Sequence, residues 1–141
     1  MQLRLVLLVI MGNEKVLASI NFMPLLNIHC SSKGINNDRI SQIEDKASSI
    51  LSETLSKSAD YIMIRISAGE NIAFAGDGTT PAIYMEVKNV GEITPDKSGE
   101  LAKKLTALMH KALKVAPDRT YIEFQQSERH LWGWAGKTFA R

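Results

Sequence analysis

One pattern, present twice, constrains the fold of this sequence more than any single motif does. An alternating apolar run leads into a longer amphipathic segment and then into a second alternating run. In the first copy, residues 24–30 read as a strand, and Ser31-Ser32-Lys33-Gly34 leads into a predicted helix over residues 37–57. Ile40, Ile43, Ala47, Ile50, Leu51 and Leu55 share one face of that helix, with charges and serines opposite. Residues 61–67 follow as a strand, with Ile62, Ile64 and Ile66 on one side and Tyr61, Met63 and Arg65 on the other. In the second copy, residues 82–90 alternate in the same way. Thr94-Pro95-Asp96 then offers a capping hydroxyl, a first-turn proline and an acid at the positive end of a helix. Leu101, Leu105, Leu108, Ala112 and Leu113 form its stripe, Pro117-Asp118 ends it, and residues 120–125 are the last strand. The two units match in length: Tyr61 lies 37 residues after Pro24, and Thr120 lies 38 after Ala82.

A β-α-β crossover joins parallel strands and lays its helix on one face. Two such units predict an α+β domain, a four-stranded mixed sheet with both helices on the same side. The link between them carries a predicted short strand, residues 72–75, and a tight turn at Gly76-Asp77-Gly78. Tyr84 and Met63 point away from the helices. A second subunit is the expected cover for that face, and a homo-oligomer the expected state.

Composition removes several function classes. The chain of 141 residues is one domain's worth, and 45% hydrophobic against 23% charged residues is the balance of an ordinary globular domain. With 17 Lys and Arg against 15 Asp and Glu, the net charge of +2 lacks the basic excess of a nucleic-acid binder. Cys30 is the single cysteine, which excludes an internal disulfide and a multi-cysteine zinc site. His29, His110 and His130 have no ligand spacing, so no metal is expected. Gly76 and Gly78 lack the third glycine and following helix of a dinucleotide loop.

The first 22 residues stand outside the repeat. Their apolar run, residues 5–11, is far shorter than the roughly 20 residues of a membrane span, and no membrane association is expected. Arg4 precedes the run as in a secretory signal, but Gly12-Asn13-Glu14-Lys15 follows at once without an Ala-x-Ala cleavage site. Three readings stand for this leader: a signal, a strand added to a sheet edge, or a true start at Met23.

Five blocks then carry a family likeness: Met23-Pro24-Leu25-Leu26-Asn27-Ile28, Tyr61, Phe74-Ala75-Gly76, Pro117-Asp118-Arg119-Thr120-Tyr121-Ile122, and Gly133-Trp134-Ala135-Gly136-Lys137-Thr138-Phe139-Ala140. In this order and spacing the chain resembles the macrophage migration inhibitory factor family and its tautomerase relatives. The likeness runs from Met23 to the C-terminus, with gaps only near Gly78 and before the second helix. It implies a homotrimer of β-α-β-β-α-β subunits with a cofactor-free site at each subunit interface. It also implies keto–enol tautomerisation of small aromatic α-keto acids or enols, of the phenylpyruvate or dopachrome type.

The base that the resemblance implies is Pro24, N-terminal once Met23 is removed. An internal proline is a tertiary amide with no basic nitrogen, whereas a terminal one is a secondary amine. The resemblance therefore favours residues 1–22 as a misassigned or processed leader and residues 23–141 as the single domain. A base works best with a pKa near ambient pH. A free α-amino group starts near about 7.7–8.0, and burial among aromatics or a nearby cation lowers it. Trp134, Phe139, Tyr61 and Tyr121 are the candidate aromatics and Lys57 the cation. By resemblance Lys57 also grips the substrate carboxylate or enolate oxygen, with the Val90 backbone nitrogen beside it, and Tyr121 reaches in from the neighbouring subunit. The expected location is the cytoplasm, with secretion the alternative.

Three departures from the family bear on this reading. Glu123 stands where an asparagine is common, and a carboxylate there repels an anionic substrate unless protonated or turned away. Ala82-Ile83-Tyr84-Met85 replaces the Cys-x-x-Cys of mammalian members, so thiol-redox activity is not expected. Trp132 replaces a smaller aliphatic residue at the pocket rim. Plainer readings stand beside these. Lys57 is a helix-end charge favoured by the dipole, the Trp132 and Trp134 pair is core or interface filler, and Lys103, Lys104, His110, Lys111 and Lys114 form a solvated face. Two competing functions remain: a secreted signalling or binding protein with vestigial catalysis, and dehalogenation or decarboxylation on the same proline, for which Arg65 alone is thin support.

Overall fold

Both amphipathic segments fold as 19-residue helices, and their ends are set by local chemistry: α1 spans Asn37–Leu55 and α2 spans Pro95–Leu113. The computed structural model describes residues 23–140; the readings of residues 1–22 lie outside the described residues. At the start of α1 the Asn36 side chain accepts the Arg39 N–H at 2.8 Å, and at the start of α2 the Thr94 hydroxyl accepts that of Lys97. Pro95 and Asp96 occupy the first turn of α2, as the sequence requires. Helix α1 stops two residues earlier than its periodicity predicts. Ser56 takes a left-handed conformation (φ 55°), and its N–H and that of Lys57 both bond to the Ser52 carbonyl.

The four strands are β1 (Leu25–Cys30), β2 (Met63–Ser67), β3 (Ile83–Val90) and β4 (Thr120–Ser127), in the sheet order β2-β1-β3-β4. The pairs β1/β2 and β3/β4 are parallel, as crossovers demand, and the central pair β1/β3 is antiparallel. The fold is therefore the α+β mixed sheet of two β-α-β units that the repeat predicts. Leu26, Ile28, Cys30, Met85 and Val87 point from the central strands into Ile43, Ala47, Leu51, Leu101, Leu105 and Met109 of the helices. Leu105 and its neighbours are fully buried, so truncation to alanine costs about 2–5 kcal/mol.

Three details differ from the sequence reading. Tyr61 is not in a strand; it closes a 3-10 turn, Ala59–Tyr61, and β2 begins at Met63. Residues 72–75 form no strand. Phe74 and Asp77 exchange both backbone hydrogen bonds around a two-residue turn at Ala75 and Gly76, both with positive φ, one residue earlier than the glycines suggest. After β4, a 3-10 turn (Arg129–Leu131) leads into a small hairpin, β5 (Gly133–Trp134) and β6 (Lys137–Thr138), which the sequence reading did not anticipate.

Candidate active site

Pro24 sits immediately before β1, where a residue without an N–H interrupts no ladder bond. Its carbonyl accepts the Met63 N–H at 3.1 Å, which ties it to the first residue of β2. The 3-10 turn before β2 brings Asp60 and Tyr61 alongside, and the C-terminal hairpin folds Trp132 and Trp134 over the same end. Together they border a cleft of about 420 Å3 lined by Pro24, Tyr61, Ile62, Met63, Trp132 and Trp134, with Met23, Leu25, Asp60 and Gly133 completing the wall. That volume suits a small aromatic molecule. Tyr61 and Trp134 meet edge to face at 6.4 Å, so one wall is a fixed aromatic corner.

Met23 itself is buried in a small cluster with Val90 and Phe139, against which Tyr61 and Trp132 pack. Phe139 is anchored by its N–H to the carbonyls of Arg129 and Trp132, while Arg129 Nε donates to the Phe139 carbonyl. The C-terminal segment is thus closed on itself by these bonds and packs on the Pro24 end through Phe139 against Met23 and Val90. Removing Met23 frees the Pro24 nitrogen and empties space beside it.

Val90 is the last residue of β3. Ala82 receives a backbone bond from Ser31 on the β1 side, and Gly91 donates to Ser127 on the β4 side. By strand alternation the Val90 N–H is turned to the β1 side, two residues beyond the Leu25 and Lys88 pair and hence toward Met23, next to Pro24. Lys57 follows the left-handed cap of α1, and its carbonyl accepts from the Ser52 hydroxyl. It is half-buried, and burial first, then repulsion from Lys97, holds its ammonium pKa below the ordinary lysine value. Lys57 is not part of the cleft wall described above.

Tyr121 lies elsewhere in the same chain. It pairs with Tyr84 across β3 and β4, is 63% exposed on the face opposite the helices, and packs edge-on against Phe74 at 5.4 Å. Glu123, two residues on, points to the same face and accepts from the Tyr84 hydroxyl at 2.9 Å. That hydroxyl also lies 2.9 Å from Glu86, whose other oxygen accepts from Asn27, and Asn27 also contacts His29 and Arg65. His29 in turn bonds Glu70 at 2.9 Å and stacks on Tyr84. The two carboxylates and burial push the Tyr84 phenol well above its usual pKa, so it stays a donor. The Asn27 bond, then that from Tyr84, lowers Glu86. A groove of about 500 Å3 also runs between the two helices, bordered by Lys46, Lys104, Lys111, Asp45 and Glu53. It is lined by residues of the two helices only, and by none of the candidate site residues.

Residues 23–140 match the family model described as macrophage migration inhibitory factor (MIF). The chain belongs to the macrophage migration inhibitory factor family. It is 27% identical over 117 residues to a macrophage migration inhibitory factor homolog of Trichinella spiralis, covering 83% of this chain and all of that protein. It is 31% identical over 94 residues to a Brugia malayi homolog, covering 67% of this chain and 81% of that one. Among solved structures, a homologue from Prochlorococcus marinus superposes with a TM-score of 0.76 at 32% identity, covering 82% of this chain and 99% of that chain.

Within this family frame, one chain brings together Pro24, Tyr61 and Trp134 at the cleft, with Val90 and Phe139 packed behind it. It does not bring Tyr121 to them. Glu123, a departure from the common asparagine, is turned onto Tyr84. Trp132 is half-buried and forms part of the cleft wall, so it is not filler alone. The sequence reading missed Asp60, the single charged residue of the wall. Its position next to Tyr61 in the turn before β2 was the available signal.

Proposed function

We propose that the chain is a keto–enol tautomerase whose base is the nitrogen of Pro24, N-terminal in the active form. The observation that carries this reading is a proline at the head of β1 bordering a small aromatic cleft. A secondary amine there takes a proton from the carbon beside a carbonyl and returns it at the other end of the enol system. The aromatic wall disfavours the ammonium, and the lysine at the end of α1 disfavours it further, so the nitrogen is basic near neutral pH. Lys57 and the Val90 N–H bind the carboxylate or enolate oxygen, and Phe139 and Trp134 enclose the ring. The substrates are small aromatic α-keto acids or their enols, and the reaction needs no cofactor.

Tyr121 completes the site from a neighbouring subunit of a homotrimer. Support comes from the uncovered sheet face, where Met63 is 66% exposed beside the cleft and Tyr121 stands open. Residues 1–22 are a leader outside the working domain, and the trimer works in the cytoplasm. Among the described residues no helix is long and apolar enough to cross a membrane. The test is enol-to-ketone conversion of phenylpyruvate followed by ultraviolet absorbance. A chain beginning at Pro24 is expected to turn over, and its Pro24→Gly variant to lose at least tenfold in kcat/KM. Equal rates from the two would refute the proline base.

A further inference from the structure

At the far end of the sheet from Pro24, Arg119 is committed to one loop. Its side chain is 12% exposed. Nε donates to the Pro81 carbonyl at 3.0 Å, one terminal nitrogen to Phe74 at 3.2 Å, and the other to Asp77 and Thr80 at 2.9 and 3.0 Å. All three nitrogens therefore serve carbonyls between residues 74 and 81. The same guanidinium lies over the Phe74 ring, 5.4 Å from its centroid. Phe74 in turn meets the Tyr121 ring edge to face, at 83°. The loop is braced from its own side as well. Asp77 accepts from the backbone and hydroxyls of Thr79 and Thr80, which hold its carboxyl well below the usual carboxylate range.

We propose that Arg119 is a positioning residue for Tyr121: by fixing Phe74 it sets the direction in which the exposed Tyr121 ring leaves the sheet. The inference rests on the reading that Tyr121 completes a neighbouring site. An exposed tyrosine on an open sheet face samples several rotamers, and each one that points away from the neighbouring cleft lowers the fraction of complete sites. A planar fork with several fixed donors can hold four carbonyls and a ring at once, whereas a lysine ammonium cannot reproduce that geometry. The effect falls on substrate binding, because Tyr121 supplies an aromatic contact to the neighbouring site and transfers no proton itself.

The experiment is a double-mutant cycle between Arg119→Lys and Tyr121→Ala in the chain beginning at Pro24, read as kcat and KM for phenylpyruvate enol. Arg119→Lys is expected to raise KM by about threefold to tenfold and to leave kcat within about twofold, in line with the worth of one aromatic contact. Phe74→Leu, which leaves the guanidinium bonds in place, is expected to do the same and serves if the lysine variant does not fold. In the Tyr121→Ala background neither substitution is expected to raise KM further. Full additivity in that background, or an unchanged KM in both single variants, overturns the positioning role while leaving Tyr121 in the site. An inert Tyr121→Ala removes Tyr121 from the site and overturns both.

Discussion

The two ends of the sheet are built alike and used differently. At each end a parallel strand pair begins, β1 with β2 and β3 with β4, and at each end a 3-10 turn feeds the second strand. Because β1 and β3 run antiparallel, these beginnings lie at opposite edges. At the first, the turn delivers Asp60 and Tyr61 to the rim of a 420 Å3 cleft headed by Pro24. At the second, the turn delivers Arg119, whose guanidinium is packed into the carbonyls of the 74–81 loop. One repeat, used twice, thus yields an open aromatic end and a filled polar one. The same backbone leaves a cleft at one end and is filled by a guanidinium at the other.

Substitutions at the two ends should therefore separate activity from stability. Lys57→Ala removes the charge-assisted contact to the substrate oxygen that we propose, worth about 1.5–3 kcal/mol, so kcat/KM should fall by about tenfold to a hundredfold. Thermal unfolding should leave Tm nearly unchanged, since Lys57 is only half-buried. Arg119→Ala should act mainly on stability, stranding several carbonyls for a loss of about 2–4 kcal/mol and a fall in Tm of roughly 10 °C, with no more than the roughly threefold to tenfold rise in KM that a misplaced Tyr121 brings. If both variants changed both quantities equally, the division between the ends would be broken.

Smaller effects sharpen the open end. Trp134→Ala removes one side of the aromatic corner and should raise KM about threefold to tenfold for an aromatic enol, with kcat nearly kept. The pH profile carries a sign that can be checked. Lys57 titrates below the ordinary lysine value, so its cation is lost early as pH rises, and the alkaline limb of kcat/KM should fall below about pH 10.4. Lys57→Arg should move that limb upward, because a guanidinium stays charged. Asp60→Asn should have the smallest effect, improving kcat/KM for a carboxylate substrate about twofold to threefold and leaving its uncharged methyl ester unchanged. The same substitution should shift the acidic limb downward, since a carboxylate beside an amine favours its charged form.

Much of this was legible from the chain alone, for identifiable reasons. Periodic leucines and a Thr-Pro-Asp start define α2 locally, and parallel crossovers follow from the spacing of the repeats. The end of α1 was not legible, because a left-handed serine is set by the bonds to Ser52 and carries no compositional mark. The turn at Ala75 and Gly76 was shifted for a related reason: alanine takes a positive φ there under restraint from Arg119, which is more than forty residues away. At the site, Pro24, Tyr61 and Trp134 were recognisable from motif order. The role of Trp132 and the presence of Asp60 depended on how the C-terminal hairpin folds back, and only tertiary contacts through Phe139 decide that.

The central claim is that Pro24 works as a free secondary amine in the space that Met23 fills in this chain. The most direct measurement compares two proteins that differ by one residue, one beginning at Met23 and one at Pro24, in the rate of phenylpyruvate enol-to-ketone conversion. Intact mass confirms that Met23 is retained in the first. General-base catalysis contributes about a hundredfold or more, so the chain beginning at Pro24 should be faster by at least that factor. Equal rates from the two would contradict the account.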